Sequence, residues 1–103
     1  MKKTILITPQ SFLDYKSLIN KKYNRFKFKF VKGPINDNKK LAKYLKNVDR
    51  CIIGSEKLDS RILLNQKKLK VICRYGTNAE NIDSNTCKKN KIKVLKLKKN
   101  INS

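Results

Sequence analysis

Short apolar segments alternate with amphipathic ones along the whole chain, and this alternation constrains the fold more than any other feature of the sequence. The segments with the composition of β-strands are residues 3–8, 25–31, 50–54, 70–73 and 92–97. Strands that alternate with helices along a chain usually pair in parallel, because each helix carries the chain back across the sheet. The sequence therefore predicts an α/β domain.

The segments between the predicted strands have the periodicity of amphipathic helices. The first helix is expected to begin at Ser11, with Asp14 three residues on forming a short capping box. Its buried face is predicted to consist of Phe12, Tyr15, Leu18 and Ile19. A second helix is expected to be capped by Asp37 or Asn38. Its inward residues are predicted to be Leu41, Tyr44, Leu45 and Val48. Two further helices are expected, near residues 59–66 with Ile62 and Leu63, and from Asp83 to about Asn90.

Five strands with four helical connections predict a flavodoxin-like open parallel five-stranded sheet with helices on both faces. Ligands of such sheets bind beyond the carboxyl ends of the strands, near the point where the strand order reverses. The segments expected to form a site are therefore residues 8–12, 54–58, 74–81 and 98–103.

The chain length of 103 residues fits one domain, expected over residues 1–103, with one core. No apolar stretch approaches the length of a membrane span, and the apolar run at the N-terminus is too short for a signal peptide. A cytoplasmic location is the resulting expectation.

The three cysteines, Cys51, Cys73 and Cys87, are far apart, and the sequence contains no histidine. Structural zinc requires clustered soft ligands at short spacing, so free and partly buried thiols are expected instead of a metal site. The absence of histidine removes the commonest general base near neutral pH.

The formal net charge of +20 admits two interpretations. Such a charge is typical of proteins that bind nucleic acid or another polyanion. Lysine, asparagine and isoleucine, however, are all encoded by AT-rich codons, and the lysines are spread along the chain. Compositional drift is therefore the favoured explanation. Non-specific polyanion binding at low salt is expected either way.

Residues 25–31 alternate strictly between cationic and aromatic or apolar side chains, with Phe26, Phe28 and Phe30 on one side. Alternating aromatics and cations can stack single-stranded nucleic acid. The favoured interpretation is a half-buried strand near a sheet edge, whose lysines oppose edge-to-edge pairing.

Residues 69–83 read LKVICRYGTNAENID, which resembles the pattern L-K-V-I-(S/C)-R-x-G-V-G-x-D-N-I-D of the D-isomer specific 2-hydroxyacid dehydrogenase family. The Gly-Thr-Asn at 76–78 is similar to a variant in some phosphoglycerate dehydrogenases. Residues 5–12 resemble the family's I-L-I-T-P-R-S-F, residues 48–54 its V-D-G-x-I-V-G, and residues 92–103 the segment before its interdomain helix. The resemblance covers nearly the whole chain in the family's order.

The resemblance implies that the chain is the substrate-side domain of such an enzyme, with a small 2-hydroxy or 2-keto acid as ligand. The matching loop, residues 75–78, would bind the substrate carboxylate through backbone amides, in agreement with the anion-binding nests that successive N–H groups form. Arg74 would add a forked cationic donor. The site residues implied are Arg74, Tyr75, Gly76, Thr77, Asn78 and Asn102. The structural alternative is that Gly76 merely permits a tight turn and that Arg74 is solvated.

Three departures from the family pattern bear on this site. Asn78 replaces the second loop glycine, which is tolerable because asparagine adopts positive φ more readily than most residues. Gln10 stands where arginine is common, and Lys98-Lys99 replace a Pro-Gly close to Asn102.

Enzymes of the family bind NAD in a separate Rossmann domain and take their catalytic arginine, glutamate and histidine from later segments. The glycines at 33, 54 and 76 are too far apart for a dinucleotide fingerprint. The chain alone is therefore expected to bind no cofactor and to be catalytically inert, with NAD bound only if a Rossmann-domain polypeptide is supplied. The chain is then a truncated or split dehydrogenase that joins such a partner or a homodimer. The alternatives are an orphan small-anion or partner-binding domain and a basic nucleic-acid-associated protein.

Overall fold

A computed structural model describes residues 2–98, whose strands form a five-stranded, all-parallel sheet. The strands are β1 (Lys3–Ile7), β2 (Phe26–Phe30), β3 (Arg50–Ile53), β4 (Val71–Tyr75) and β5 (Lys93–Leu97). The helices are α1 (Gln10–Leu13), α2 (Lys16–Lys22), α3 (Asn38–Leu45), α4 (Ser60–Leu64) and α5 (Ser84–Lys89). The strand order is β2-β1-β3-β4-β5, and each neighbouring pair is parallel. The predicted flavodoxin-like architecture is confirmed.

The register of the strands divides their side chains between two faces. Leu6 of β1 lies beside Cys51 of β3, which lies beside Ile72 of β4, and these three residues are buried. This face, termed the core face, packs against α3, α4 and α5. Its cluster contains Leu6, Ile35, Leu41, Leu45, Val48, Cys51, Ile53, Leu58, Ile62, Leu63, Leu69, Ile72, Ile82, Cys87 and Ile92.

Helices α1 and α2 lie on the opposite face of the sheet, termed the second face. Ile5 and Ile7 of β1 are buried there, and α2 contacts β2. The ring of Phe12 in α1 makes an edge-to-face contact with Tyr75 of β4, with 5.1 Å between ring centroids. Helices therefore lie on both faces, as predicted.

Aspartate side chains cap the three helices of the core face. Asp37 accepts hydrogen bonds from the N–H groups of Lys39 and Lys40, and Asp83 accepts one from Thr86. Asp59 caps α4 in the same way through the N–H of Ile62. These bonds satisfy N–H groups that a helix cannot satisfy internally. The predicted caps at Asp37 and Asp83 are confirmed.

The prediction of the first helix is wrong in two respects. The observed helix begins at Gln10, immediately after Pro9 and one residue before the predicted cap Ser11, and it has no side-chain cap. It is also interrupted at residues 14–15, and α2 begins afresh at Lys16. Because the break changes the phase of the helical repeat, Tyr15 and Leu18 are exposed, whereas Phe12 and Ile19 are half-buried.

Two other boundaries differ from expectation. Strand β4 continues through Arg74 and Tyr75, which were expected in a loop, because these residues pair with Lys96 and Leu97 of β5. Val48 is buried as predicted but follows the end of α3 at Leu45. The extension of β4 comes from its pairing with the sequence-distant strand β5, which local periodicity does not contain.

The aromatic side chains of β2 are engaged within the chain. Phe28 lies 6.2 Å from Phe26 and 5.8 Å from Phe30 between ring centroids. The Arg50 guanidinium lies 5.4 Å from the Phe26 centroid, and the Lys16 ammonium 5.9 Å from that of Phe30. All three rings are half-buried and β2 is an edge strand, which favours the structural interpretation over a stacking platform. No helix within residues 2–98 is long and apolar enough to cross a membrane.

We expect Leu6→Ala to lower the free energy of unfolding by about 2–5 kcal/mol, because the side chain is fully buried in a central strand. Leu64→Ala removes a leucine that is 61% exposed and should change this free energy by less than about 0.5 kcal/mol. Urea denaturation followed by circular dichroism measures both values. Equal losses in the two variants would contradict the assigned core.

Candidate functional site

A cleft of about 340 Å³ lies at the carboxyl ends of four neighbouring strands. Its walls come from the segments after β1 (residues 8–11), after β2 (33–34) and after β3 (54–56), and from residues 74–77 at the end of β4. The strand order reverses between β1 and β3, which is where ligands of open parallel sheets bind. The cleft therefore occupies the position at which the sequence predicted a site.

A buried carboxylate, that of Glu56, holds two of these segments together. Its Oε1 accepts a hydrogen bond from the N–H of Gly54 at 2.9 Å, and its Oε2 accepts one from Ile35 at 2.9 Å. Burial of a carboxylate is costly unless such donors replace its hydration. The side chain thus fixes the segments after β2 and β3 relative to each other.

The side chain of Asn81 makes the next connection, from the segment after β3 to the end of β4. Its Nδ2 donates to the carbonyl oxygens of Glu56 at 2.7 Å and Gly54 at 3.1 Å. Its Oδ1 accepts a hydrogen bond from Nε of Arg74 at 3.0 Å. The guanidinium of Arg74 also donates through Nη1 to the carbonyl of Tyr75. Arg74 is therefore held in position at the wall of the cleft instead of being freely solvated.

Two glycines leave the space that this network occupies. A Cβ added at Gly76 would lie 2.4 Å from Nη1 of Arg74, and one added at Gly33 would lie 2.4 Å from Oε2 of Glu56 and 3.0 Å from the carbonyl oxygen of Thr8. Any larger residue at these positions would displace the charged group beside it. Neither glycine has a positive φ, so close approach is the reason for glycine here.

The backbone amides after β4 differ in availability. The N–H of Gly76 donates to the carbonyl of Leu97 at 3.0 Å and continues the pairing of β4 with β5. Thr77 and Asn78 are exposed, and neither donates its backbone N–H to another group within residues 2–98. The Oδ1 of Asn78 accepts from the N–H of Glu80 at 3.3 Å and so turns the loop. The backbone N–H groups of Thr77 and Asn78 therefore have no acceptor within residues 2–98.

The side-chain hydroxyl of Thr8 is a further polar group at the cleft. Thr8 is buried, lines the cleft, and its Oγ1 has no hydrogen-bond partner within the described residues. Buried hydroxyls normally have a partner in the protein or in water. A ligand or water in the cleft would satisfy this one.

The structure brings four predicted site residues to the cleft wall, namely Arg74, Tyr75, Gly76 and Thr77. Asn78 follows them in the exposed part of the loop, and Asn102 lies outside the described residues. The ring of Tyr75 contacts Phe12 and so joins α1 to the site.

Thr8, Glu56 and Asn81 were not predicted as site residues, although each lies in or next to a segment expected at the carboxyl edge. Glu56 is one of seven acidic residues in a strongly basic chain, and it follows the end of the predicted strand 50–54 by two positions. This position at the carboxyl end of a strand was the sequence signal that could have identified Glu56 as a site residue. The burial of its side chain could not be predicted from the sequence, because isolated charged residues are nearly always exposed.

The thiols and carboxylates of the described residues do not form a metal site. No group of three His, Cys, Asp or Glu side chains is close enough to hold an ion within residues 2–98. The cysteines are free, as expected, and Cys51 and Cys87 are buried. Burial raises the pKa of Cys51, Cys73 and Cys87, so all three remain protonated and poorly nucleophilic at neutral pH.

Comparison with known proteins identifies the class. The model of the D-isomer specific 2-hydroxyacid dehydrogenase catalytic domain matches residues 7–100, most of the chain. The chain therefore belongs to this family as one of its domains, as the sequence motifs indicated. No curated protein sequence matches it.

Solved structures of similar fold include an NAD+-bound 3-phosphoglycerate dehydrogenase from Entamoeba histolytica, with 23% identity and a TM-score of 0.78 over 93% of this chain and 33% of that one. A D-lactate dehydrogenase from Escherichia coli has 21% identity and a TM-score of 0.72 over 94% of this chain and 31% of that one. The pyruvate reductase of Chlamydomonas reinhardtii has 16% identity and a TM-score of 0.70 over 94% of this chain and 29% of that one. The chain spans about a third of the length of these proteins.

We expect Glu56→Gln to lower the free energy of unfolding by about 1–3 kcal/mol, because an amide has one acceptor oxygen for two buried N–H donors. Glu80→Gln makes the same chemical change at an exposed residue and should leave this free energy nearly unchanged. Urea denaturation at constant pH measures both. If Glu56→Gln were as stable as the parent, Glu56 would not fix the two segments.

The buried thiol of Cys51 predicts a loss of stability at alkaline pH. Its pKa lies near the ordinary value of 9.0 in the unfolded chain and is raised by burial in the folded one. The associated stability is therefore complete below about pH 9 and is lost as the pH rises further, by up to about 1.4 kcal/mol per pH unit. Cys51→Ala should show a shallower decline in unfolding free energy between pH 8.5 and 10.5. Parallel pH profiles would show that Cys51 titrates alike in both states.

Proposed function

We propose that this domain is the substrate-binding side of an NAD-dependent D-2-hydroxyacid dehydrogenase, and that its cleft holds the carboxylate of a small, phosphoglycerate-like 2-hydroxy or 2-keto acid. The observation that carries the proposal is the fixed guanidinium of Arg74 at the wall of the cleft, which also contains Thr77 and lies at the reversal of strand order. Free cysteines fit a reducing compartment, and we place the protein in the cytoplasm.

The chemistry of this arrangement is carboxylate recognition. The N–H groups of Thr77 and Asn78 would donate to one side of the carboxylate, since neither has another acceptor among the described residues. The Nη2 of Arg74, which makes no hydrogen bond within residues 2–98, would add a charge-assisted bond. Thr8 Oγ1 is placed to contact the ligand or a bound water. In this binding mode the network of Glu56 and Asn81 orients the site before the ligand arrives.

The described residues do not fit NAD. The glycines at 33, 54 and 76 belong to three separate segments, and a dinucleotide fingerprint requires them within a single turn. When bound to a Rossmann domain, NAD would supply hydride transfer. We therefore assign substrate binding to this domain and cofactor binding to a Rossmann domain outside residues 1–103. By itself the domain should be inactive. The NAD+-bound Entamoeba structure, three times as long as this chain, is consistent with that division.

Backbone amide NMR tests the carboxylate site. We expect D-lactate, pyruvate and D-3-phosphoglycerate to shift the amide signals of Thr77 and Asn78 saturably, with Kd values of about 1–10 mM. Arg74→Gln should weaken this binding about tenfold, because it removes a charge-assisted hydrogen bond. Arg61→Gln, which removes an exposed arginine from α4, should leave the Kd unchanged.

Three results would contradict the proposal. Lactamide, which has no carboxylate, could shift the same signals equally, or Arg61→Gln could weaken binding as much as Arg74→Gln. The signals could also stay unchanged at 50 mM ligand, a concentration at least about five times the expected Kd. Oxidation of D-lactate by the purified domain with NAD alone would separately overturn the assignment of the cofactor to another domain.

A further inference from the structure

The charged residues of the described chain are distributed unevenly between the two edges of the sheet. Because all five strands are parallel, the segments that enter the strands lie together at one edge, which is termed the amino edge. It is formed by residues 2–4, 20–27, 43–50, 65–71 and 88–93. These segments contain sixteen lysine and arginine residues but one acidic residue, Asp49.

The carboxyl edge has the opposite composition. The segments that leave β1 to β4 contain two lysines and five acidic residues, within residues 8–11, 31–38, 54–60 and 76–84. Compositional drift can explain how many lysines the chain contains, but drift acts on codons irrespective of the edge at which their residues lie. The concentration of cations at the amino edge is therefore a feature that the net charge of +20 does not express.

The ends of the helices account for part of this concentration. Helices end at the amino edge, and a cation in the last turn of a helix is favourable, an effect that falls off beyond that turn. Five of the sixteen cations lie in last turns, namely Lys21, Lys22, Lys43, Lys88 and Lys89. The other eleven lie beyond the last turns, so stabilisation of helix ends does not explain them.

The cations of the amino edge are available to a ligand. All sixteen are exposed except Arg50, which is half-buried against the ring of Phe26. The single acidic residue is already engaged, because Oδ2 of Asp49 accepts a hydrogen bond from the N–H of Thr4 at 2.8 Å. The amino edge therefore presents positive charge that its own carboxylate does little to offset.

A cavity of about 790 Å³ lies at the amino edge. Its lining includes three lysines and two asparagines, Lys2, Lys27, Lys68, Asn20 and Asn47, which come from four of the five segments. Lysine and asparagine side chains are frequent donors to phosphate and sugar oxygens in complexes with nucleic acid. The chemistry of the cavity thus suits a phosphate backbone.

The extent of the amino edge fits a polymeric anion better than a single phosphate group. Five strands spaced about 4.8 Å apart span about 19 Å, and every strand is preceded by at least one exposed cation. A nucleic-acid duplex carries one phosphate per about 1.7 Å of its axis, so about eleven phosphates lie along this distance and about five of them face the protein. The exposed cations are numerous enough to contact all of these.

We propose that the amino edge binds the sugar-phosphate backbone of nucleic acid without reading its sequence. The lysines contact the phosphates, and the asparagines of the cavity donate to phosphate and sugar oxygens. The rings of Phe26, Phe28 and Phe30 are engaged within the chain, so base stacking has no part in this mode. The carboxylate cleft lies at the opposite edge of the sheet, and the inference is therefore independent of the ligand bound there.

A fluorescein-labelled DNA duplex of about 20 base pairs is the probe for the full chain. We expect a Kd of about 10 µM at about 150 mM salt, the range of non-specific binding, and about hundredfold tighter binding at about 50 mM salt, as about five phosphate contacts require. A second duplex of unrelated sequence should bind with a Kd within about twofold. Fluorescence anisotropy measures these values.

Two triple variants of equal net charge locate the surface. Lys2→Gln/Lys27→Gln/Lys68→Gln changes the cavity, and Lys32→Gln/Lys39→Gln/Lys57→Gln changes three exposed lysines at or next to the carboxyl edge. The first should weaken binding at least about tenfold at about 150 mM salt and lower the salt slope by about 2 to 3. The second should leave the Kd within about twofold, because distant charges are screened beyond about 8 Å at this salt concentration.

The amide signals of the parent chain give a second measurement that requires no variant. The duplex should shift the signals of residues 20–27, 43–50, 65–71 and 88–93 and leave those of Thr77 and Asn78 in place. Equal weakening by the two triple variants, or shifts spread evenly over the chain, would reduce the effect to net charge and overturn the proposal. Absence of binding at about 50 mM salt, or tighter binding to vesicles containing phosphatidylserine than to the duplex, would overturn it as well.

Discussion

The buried carboxylate of Glu56 is the constraint on which the carboxyl edge of this domain depends. The chain arrives at that edge after each strand in an irregular segment, and the strand ladder no longer fixes these segments. Glu56 replaces the ladder with bonds to the N–H groups of Gly54 and Ile35. Because a buried charge without donors is very unfavourable, these segments have a strong preference for the observed arrangement.

Further hydrogen bonds connect the segment that contains Glu56 to the positively charged side chain of Arg74. Asn81 bonds to the carbonyls of Gly54 and Glu56 on one side and to Arg74 on the other. Gly76 leaves room for the guanidinium. One negatively charged side chain, Glu56, and one positively charged side chain, Arg74, are thus held in place at the same edge of the sheet. The carboxylate of Glu56 is occupied by the protein's own N–H groups, while Arg74 retains a donor. The edge as a whole therefore suits an anion better than a cation.

The architecture of this domain was predictable because it follows from local patterns. The alternation of apolar strands with helices gave the sheet, and Asp37 and Asp83 marked two helix starts through their capping geometry. The site was predictable in position, since carboxyl ends of parallel strands meet at one edge. Arg74 was identified through motif similarity, but its fixation by Asn81 was not, because it depends on a pairing of loops distant in sequence. The break between α1 and α2 was missed because the residues on either side of it have good helical periodicity.

The hydrogen bond from the N–H of Gly76 to the carbonyl of Leu97 connects the edge strand β5 to the start of the loop that contains Thr77 and Asn78. Edge strands are paired on one side alone, so their ends open more readily than those of central strands. When β5 frays at Leu97, Gly76 loses its acceptor, and the turn that presents Thr77 and Asn78 loses an anchor. Opening of the end of β5 would therefore also loosen the turn that carries the amides of Thr77 and Asn78, and a contact that stabilises β5 would stabilise that turn.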